Sequence, residues 1–393
     1  MRQLELFPKH EIPLEDVFQA YYDCRKHKRK SRQACAFELD LEENLVMLWR
    51  QLQDGTYSIG PSTVFVVDKP VKREIFAAAF RDRIVHHLLV NALNPILEKQ
   101  LVYDCYACRE GKGTHFGIQR LDHFMRSCSD NYQVEAWALK LDIKGFFMCI
   151  DRSVLYARLE AYVLGKYMKP DRDTILHYSR MVIFNDPTHN CIVKSPRSAW
   201  KNLDPDKSLF NAKQGCGLPI GNLTSQVFAN FYLSFADHYI KHRLGIRYYG
   251  RYVDDMVLVH INRYYLRFCV SMIRSYLSDR LGLRLHPKKT RIQRVGQGIS
   301  FLGCSIQVGH INAGRRWIRN WKQAILDGNR LIVDHKPTRD DKHAYRDAMN
   351  SYLGLMTHYN TYRLRYTYLR SMHPLWLKHY TPNIKLKKLV KNY

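Results

Sequence analysis

The sequence predicts an α+β fold, because strand and helix patterns occupy separate stretches of the chain. Short apolar or aromatic runs flank positions 254 and 255 and indicate a hairpin, and residues 299–308 give a second hairpin signal. Helical spacing covers 75–101 and 224–243, and residues 315–393 are predicted to be helical, aromatic and basic. At 393 residues, the chain is long enough for two or three subdomains around a shared core.

The remaining elements follow in chain order. The first fifty residues are predicted to be helical and contain a basic run at 25–32, which fits either a solvated helix face or a nucleic-acid contact. Residues 56–70 are predicted to be extended. A strand at 136–142 ends in Asp142, and residues 186–213, rich in Pro, Asn and Ser, are predicted to form a long loop.

The charge of the chain predicts a polyanionic partner. Sixty-two Lys and Arg against 36 Asp and Glu leave a net charge of +26, which favours nucleic acid over a membrane surface. No apolar run approaches the roughly 18 residues needed to span a bilayer, and the first residues lack a signal-peptide core. Ten scattered cysteines suit a reducing compartment. We therefore expect no membrane partner and a cytoplasmic protein.

Three aspartates predict a metal site. Asp254 and Asp255 are adjacent at a hairpin bend, where their repulsion is relieved by a hard divalent cation such as Mg²⁺. Asp142, at another strand end, could share a pair of Mg²⁺ ions about 3.5–4 Å apart with Asp254, an arrangement suited to in-line phosphoryl transfer. The alternatives are a solvated Asp-Asp turn and, for Asp142, a capping residue.

The order of motifs resembles that of reverse transcriptases. Asp142 and the Tyr-Val-Asp-Asp at 252–255 look like motifs A and C of that family. Four further blocks, similar to the family's fingers and later palm motifs, occur in the same order at 69–83, 109–115, 285–290 and 300–303. The resemblance implies a right-hand polymerase fold with fingers, a palm with an antiparallel sheet and a helical thumb. Its divisions would be an N-terminal helical basic extension at 1–55, fingers at 56–135, a palm at 136–305 with the inserted loop at about 186–213, and a helical basic thumb with a C-terminal tail at 306–393.

The resemblance also implies roles for particular residues. Asp142, Asp254 and Asp255 would be catalytic, and together with Ile143 they would hold two Mg²⁺ ions, for which Mn²⁺ could substitute. The position of Phe147, five residues after Asp142, implies a ring that clashes with a ribose 2′-OH and so favours deoxynucleotides. The nucleotide-binding residues would be Lys69, Arg73, Phe147, Ile220, Gly221 and Lys288.

The block at 217–226 departs from the usual family pattern. It has Ile220-Gly221 and Ser225-Gln226 where most reverse transcriptases have Gln-Gly and Ser-Pro. This departure, with Trp200 and the Lys-Ser-Leu-Phe at 207–210, resembles the reverse transcriptases of diversity-generating retroelements, which copy a template-repeat RNA into adenine-mutagenised cDNA. Ile220 offers an incoming nucleotide only apolar contact, whereas Gln could hydrogen-bond to it. Ile220 and Gln226 are therefore predicted to lower copying fidelity.

The implied partners are a template-repeat RNA, the RNA–DNA hybrid, dNTPs and an accessory variability protein that forms a basic oligomeric ring. A bacterial or phage gene is implied as well. Two alternatives remain open: a group II intron-type or other bacterial reverse transcriptase, and an RNA-binding or maturation factor on a polymerase fold that has lost catalysis. The three intact aspartates argue against the second alternative.

Overall fold

The computed structural model describes residues 12–26, 31–68 and 71–392. In this part of the chain, fourteen α-helices accompany twelve β-strands arranged in four sheets. The mixture of helix and sheet agrees with the predicted α+β class. No helix among the described residues is both long enough and apolar enough to cross a bilayer.

The N-terminal residues form a helical layer. It contains α1 (Leu14–Arg25), α2 (Arg32–Phe37) and α3 (Leu41–Gln53). Helix α1 buries Val17, Ala20, Tyr21 and Cys24, whose three- and four-residue spacing places them on one face. That face packs on α4 (Phe80–Gln100). The predicted basic run at 25–32 lies partly outside the described residues.

A three-stranded sheet follows, made of β1 (Ser62–Val67), β2 (Arg73–Ala77) and a later strand. Strands β1 and β2 pair antiparallel, with Phe65 opposite Ile75. The helix predicted from residue 75 therefore begins later, at Phe80, because Ile75 and its neighbours are taken up by strand pairing. Helix α5 (Thr114–Cys128) comes next.

The central sheet is antiparallel and has the strand order β5-β6-β3-β7. Its first strand, β3 (Trp137–Leu141), is followed by α6 (Phe146–Cys149), α7 (Arg152–Lys166), α8 (Arg172–Phe184), β4 (Cys191–Val193) and α9 (Leu223–His238). The chain then forms β5 (Tyr248–Tyr252), β6 (Asp255–His260), α10 (Arg263–Leu281) and β7 (Arg291–Arg294). Helices α4, α7, α9 and α10 contribute to one large core with the sheet.

The predicted loop at 186–213 is partly ordered as a strand. Cys191 at the start of β4 pairs with Ser62 of β1. Strand β4 therefore lies parallel to β1 and is the third strand of that sheet. The rest of the segment contains three short 3₁₀ turns. The β4 strand is three residues long and its partner is distant in sequence, which explains why local patterning did not reveal it.

The C-terminal region begins with the hairpin predicted at 299–308. It contains β8 (Ile299–Phe301), β9 (Cys304–Gln307), β10 (His310–Ala313), α11 (Arg315–Asp334), α12 (Arg339–Met356), α13 (Tyr362–Arg370), α14 (Pro374–Leu377), β11 (Tyr380–Pro382) and β12 (Leu389–Lys391). The prediction that residues 315–393 are helical was wrong near the C-terminus, because β11 and β12 pair there and residues 385–388 lie in the turn between them. The Asn383 side chain fixes that turn by accepting hydrogen bonds from the amides of Lys387 and Lys388.

Candidate active site

The two adjacent aspartates lie at the tip of the β5–β6 hairpin. Tyr252 pairs with Asp255, which leaves Val253 and Asp254 as a two-residue turn. Val253 has a φ of +54°, the left-handed region that tight hairpin turns require but a β-branched residue rarely adopts. Arg251 supports this backbone, because its Nη1 donates to the Val253 carbonyl oxygen at 2.9 Å.

Asp142 reaches the same place from the neighbouring strand. Leu141 at the end of β3 pairs with Met256 of β6, so the next residue of β3 and the previous residue of β6 lie side by side. The backbone at Asp142 is held by His286, whose amide donates to the Asp142 carbonyl oxygen at 2.7 Å. Asp142, Asp254 and Asp255 line one cavity of about 500 Å³, and their role as metal ligands stays a prediction.

The carboxylates of this cavity repel one another. Burial, followed by the charges of Asp255 and Asp142, raises the pKa of Asp254 to about 7. Burial also raises the pKa of Asp255, against the attraction of Lys140. The Nζ of Lys289 lies 2.7 Å from Asp142 Oδ2 and supplies one compensating positive charge.

The oxygen-rich cavity suits a hard divalent cation. No group of three or more His, Cys, Asp or Glu side chains converges at metal-binding spacing within the described ranges, and Asp142 is turned toward Lys289. Burial and the charges of neighbouring carboxylates nevertheless raise the pKa values of Asp254 and Asp255, and a bound cation would offset both effects. The three aspartates therefore fit a cation site. Ile143, the fourth predicted ligand, lines the same cavity.

Four of the predicted nucleotide-binding residues line the cavity, namely Arg73, Phe147, Ile220 and Gly221. Lys288 does not, and its side chain is exposed. The neighbouring Lys289 faces the aspartates instead, because successive side chains of the 3₁₀ turn Pro287–Lys289 point about 120° apart. The lysine that lines the cavity is thus one residue beyond the one predicted to bind nucleotide. Lys69 lies outside the described residues.

Backbone hydrogen bonds join the block at 217–226 to its surroundings. The Leu218 amide donates to the Phe147 carbonyl oxygen at 2.9 Å, and the Phe76 amide donates to the Ile220 carbonyl oxygen at 2.8 Å. Gly221 has a φ of +129°, and a Cβ there would lie 2.9 Å from the Phe76 carbonyl oxygen. Glycine is therefore required where this block meets β2.

The two residues predicted to lower fidelity both line the cavity. Ile220 is half-buried and packs against a small apolar cluster that includes Phe76 and Leu209. Gln226 is exposed on the first turn of α9, where its Oε1 lies 3.0 Å from the Sγ of Cys108. Their side chains thus present one apolar and one polar surface to the same space.

Sequence reasoning missed several residues of the cavity. Besides Lys289, they are Cys108, Lys144, Asp204, Asp206, Lys207, Asn230, Tyr252 and His286. The basic pair at 288 and 289 was a usable signal, but its register depended on the turn. Asp204, Asp206 and Lys207 come from the segment predicted to be a loop, which gave no sign that it folds back onto the site.

Carboxylates at adjoining strand ends, facing a cavity with basic side chains, fit the class of metal-dependent phosphoryl-transfer enzymes. The family model described as "Reverse transcriptase (RNA-dependent DNA polymerase)" matches residues 69–306, more than half of the chain. The chain belongs to this family and is an RNA-directed DNA polymerase by that membership. Members of the family use divalent metal ions and bind template RNA.

The chain is similar to several known proteins over part of its length. Protein YkfC of Escherichia coli (strain K12) is 24% identical over 300 residues, which cover 67% of this chain and 71% of that protein. The solved structure of apo telomerase from Candida tropicalis, truncated from its C-terminal domain, matches with 13% identity and a TM-score of 0.47. The match covers 65% of this chain and 55% of the telomerase chain. The solved structure of telomerase from Candida albicans with a telomeric RNA fragment matches with 12% identity and a TM-score of 0.47. The match covers 85% of this chain and 60% of that telomerase chain.

Proposed function

We propose that the chain copies a template-repeat RNA into error-prone cDNA, as reverse transcriptases of diversity-generating retroelements do. The observation that carries the polymerase part is the meeting of Asp142, Asp254 and Asp255 in one cavity with Arg73 and Phe147. The departures at Ile220 and Gln226 support the narrower assignment, since both side chains face that cavity.

Each residue has a role in this proposal. Asp142, Asp254 and Asp255 would hold two Mg²⁺ ions, or Mn²⁺ in their place, with the main-chain oxygen of Ile143 as a further ligand. The bound ions would lower the pKa of the primer hydroxyl and stabilise the leaving pyrophosphate. Arg73 binds the triphosphate as a multiple hydrogen-bond donor. Phe147 excludes the ribose 2′-OH.

The polymerase subdomains are assigned as part of the proposal. The antiparallel sheet that carries the aspartates and its helices would be the palm at 136–305, and the β1–β2 sheet with α4 and α5 would belong to the fingers at 56–135. The helices after 306, together with the β11–β12 hairpin, would be the thumb. Exposed Tyr362 and Tyr366 on α13 offer aromatic faces beside arginines, which suits contact with the RNA–DNA hybrid.

Primer extension tests the polymerase activity. The full chain is supplied with an RNA template, a DNA primer, dNTPs and Mg²⁺, beside Asp254→Asn. We expect extension by the wild type and its near-complete loss in the variant, because the amide cannot replace the anionic ligand. Equal extension by both proteins would overturn the proposal. If neither extends the primer while both bind RNA, the RNA-binding alternative is favoured.

Sequencing of the cDNA tests the narrower proposal. We expect misincorporation opposite template adenine to exceed that at the other three bases, and Ile220→Gln to reduce it by restoring a hydrogen-bonding side chain. Equal error rates at all four bases would favour a group II intron-type or other bacterial reverse transcriptase. Addition of a candidate accessory variability protein, a basic oligomer by resemblance, would then show whether it alters extension.

A further inference from the structure

A segment at 194–212, here called the strap, crosses from β4 to the cavity. It contributes Asp204, Asp206 and Lys207 to the lining of the cavity. The Nζ of Lys144, two residues after the first catalytic aspartate, lies 2.8 Å from Asp206 Oδ2. The strap is therefore a wall of the proposed nucleotide site, although it lacks long helices or strands of its own.

The strap is fastened to β2 by the buried carboxylate of Glu74. The Nε1 of Trp200 donates to Glu74 Oε2 at 2.6 Å, and the Ser208 hydroxyl donates to the same oxygen at 2.8 Å. The backbone amide of Leu209 donates to Oε1 at 2.6 Å. Glu74 is only 2% exposed, so water does not compete for these three bonds. Both of its oxygens are occupied by the strap.

The position of Glu74 connects the strap to the residues expected to touch the nucleotide. Neighbouring side chains of a strand point to opposite faces, so Glu74 faces the strap while Arg73 faces the cavity. We call the three hydrogen bonds from the strap to Glu74 the clasp. Leu209, whose amide forms one of these bonds, also belongs to the small apolar cluster against which Phe147 and Ile220 pack. Displacement of the strap would therefore move the walls on which both of these side chains rest.

We infer that Glu74 is a positioning residue, which holds the strap against β2 and thereby sets the affinity for the incoming nucleotide. The inference rests on the proposed nucleotide site. It also gives a physical role to Trp200 and to the Lys-Ser-Leu-Phe at 207–210, which the sequence distinguished without explaining. Trp200 and Ser208 supply the donors that a buried carboxylate needs.

Steady-state kinetics with varied dNTP test the inference. Glu74→Gln keeps the shape of the side chain but turns an amide N–H₂ toward donors that need an acceptor. Because misplaced walls weaken nucleotide positioning, we expect KM for dNTP to rise about tenfold while kcat changes less than about threefold. The dissociation constant of the RNA–primer hybrid should stay at the wild-type value. The matched control is Glu135→Gln, an exposed carboxylate paired with Arg294 outside the cavity.

Trp200→Phe provides a second variant if Glu74→Gln does not fold. It removes one donor and keeps an aromatic ring, so we expect a rise in KM of about threefold, smaller than that for Glu74→Gln. A KM within about twofold of wild type in the folded Glu74→Gln protein would overturn the inference, since kinetic differences that small correspond to less than one ordinary hydrogen bond.

Limited trypsin digestion separates failure of the inference from failure of the proposed function. Lys201 and Lys207 lie in the strap, and cleavage at them needs no polymerase activity. We expect Glu74→Gln to accelerate cleavage there at least about fivefold, because local opening controls proteolysis of native segments. Unchanged cleavage in folded Glu74→Gln would overturn the inference that Glu74 holds the strap, even if the variant extends primers. Accelerated cleavage in a chain that extends no primer would uphold the clasp and reject the polymerase proposal.

Discussion

Lys289 forms an ion pair with Asp142, its Nζ lying 2.7 Å from the carboxylate oxygen Oδ2. Burial opposes the charge of Lys289, but the hydrogen bond and attraction to Asp142 raise the pKa of the lysine overall. The lysine also lowers the pKa of Asp254 by its charge. Together with Lys140, Lys289 thus partly balances the charge of the three carboxylates.

Lys289→Ala should therefore shift the acid limb of the pH–activity profile upward. With Lys289 absent, the pKa of Asp254 rises further above 7, so metal ions must displace a proton that is held more tightly. We expect kcat near pH 7 to fall about tenfold or more, since one lost charge contact at a reacting centre commonly has that effect. Primer-extension rates between pH 6 and 9 provide the measurement.

Lys288→Ala is the control for that prediction. Lys288 has an exposed side chain outside the cavity lining, so its loss should leave the pH profile in place. If instead Lys288→Ala shifts the pH profile and Lys289→Ala does not, Lys288 rather than Lys289 is the lysine that faces the aspartates.

Asp254→Asn should stabilise the metal-free protein while abolishing activity. The folded pKa of about 7 lies above the ordinary value of 3.8, so the folded state holds the extra proton between these values. Stability consequently falls as the pH rises from about 4 through about 7. The neutral amide removes this loss. Allowing for partial solvent exposure, we expect a gain on the order of 1–2 kcal/mol in free energy of unfolding at pH 8.

Urea unfolding with EDTA present measures this effect at pH 5 and pH 8. The gain should be smaller at pH 5, which lies near the lower end of the window between 3.8 and about 7 over which the loss accumulates. An equal gain at both values would mean that the amide acts through packing or hydrogen bonding rather than through charge. Mg²⁺ should stabilise the wild type more than the variant.

Local signals explain why the hairpin and its aspartates could be predicted from sequence. The Asp pair is bounded by apolar runs of strand length, and Asp142 ends another such run, so three short windows define the site. The role of Glu74 could not be predicted in this way. A glutamate in a strand is ordinarily solvated, and its burial depends on donors from Trp200 and Ser208, more than 120 residues away. Which of Lys288 and Lys289 faces the cavity could not be predicted either, because it depends on the orientation of the 3₁₀ turn Pro287–Lys289.

Phe147→Ala should admit ribonucleotides. The ring lines the cavity and packs against the apolar cluster that contains Leu209. This packing restricts the movement of the ring, so the ring forms a fixed wall of the cavity. Removing a steric wall is worth roughly 1–3 kcal/mol of discrimination, so we expect the rNTP-to-dNTP ratio of kcat/KM to rise about 10- to 100-fold. Competitive single-nucleotide incorporation measures it.

Phe268→Ala serves as the matched control for Phe147→Ala. It truncates a phenyl ring that is half-exposed on α10 and lies outside the cavity lining. We expect its rNTP-to-dNTP ratio to equal that of the wild type. An unchanged ratio in Phe147→Ala itself would show that another residue discriminates between the sugars.

The buried pair Arg251–Asp237 should stabilise the fold and position the turn that carries Asp254 by separable contacts. Arg251 Nε and Nη2 each lie 2.7 Å from an Asp237 oxygen, with neither side chain exposed. Asp237→Ala leaves a buried guanidinium without its carboxylate and should cost about 3–5 kcal/mol of unfolding free energy. Replacing both residues, as Arg251→Met with Asp237→Leu, should recover part of that loss, because neither charge of the pair remains, although the Tyr249 hydroxyl and the Asn230 oxygens lose their partners.

The double variant should stay slow in primer extension despite its partly recovered stability. It lacks the Arg251 donor to the Val253 carbonyl oxygen, so the strained turn that carries Asp254 loses a support that the apolar pair cannot replace. We expect kcat to fall about tenfold, since small misplacements of reacting groups have effects of that size or larger. Full activity in a stable double variant would show that the turn holds its shape without Arg251. Urea unfolding and primer extension on the same preparations distinguish the two results.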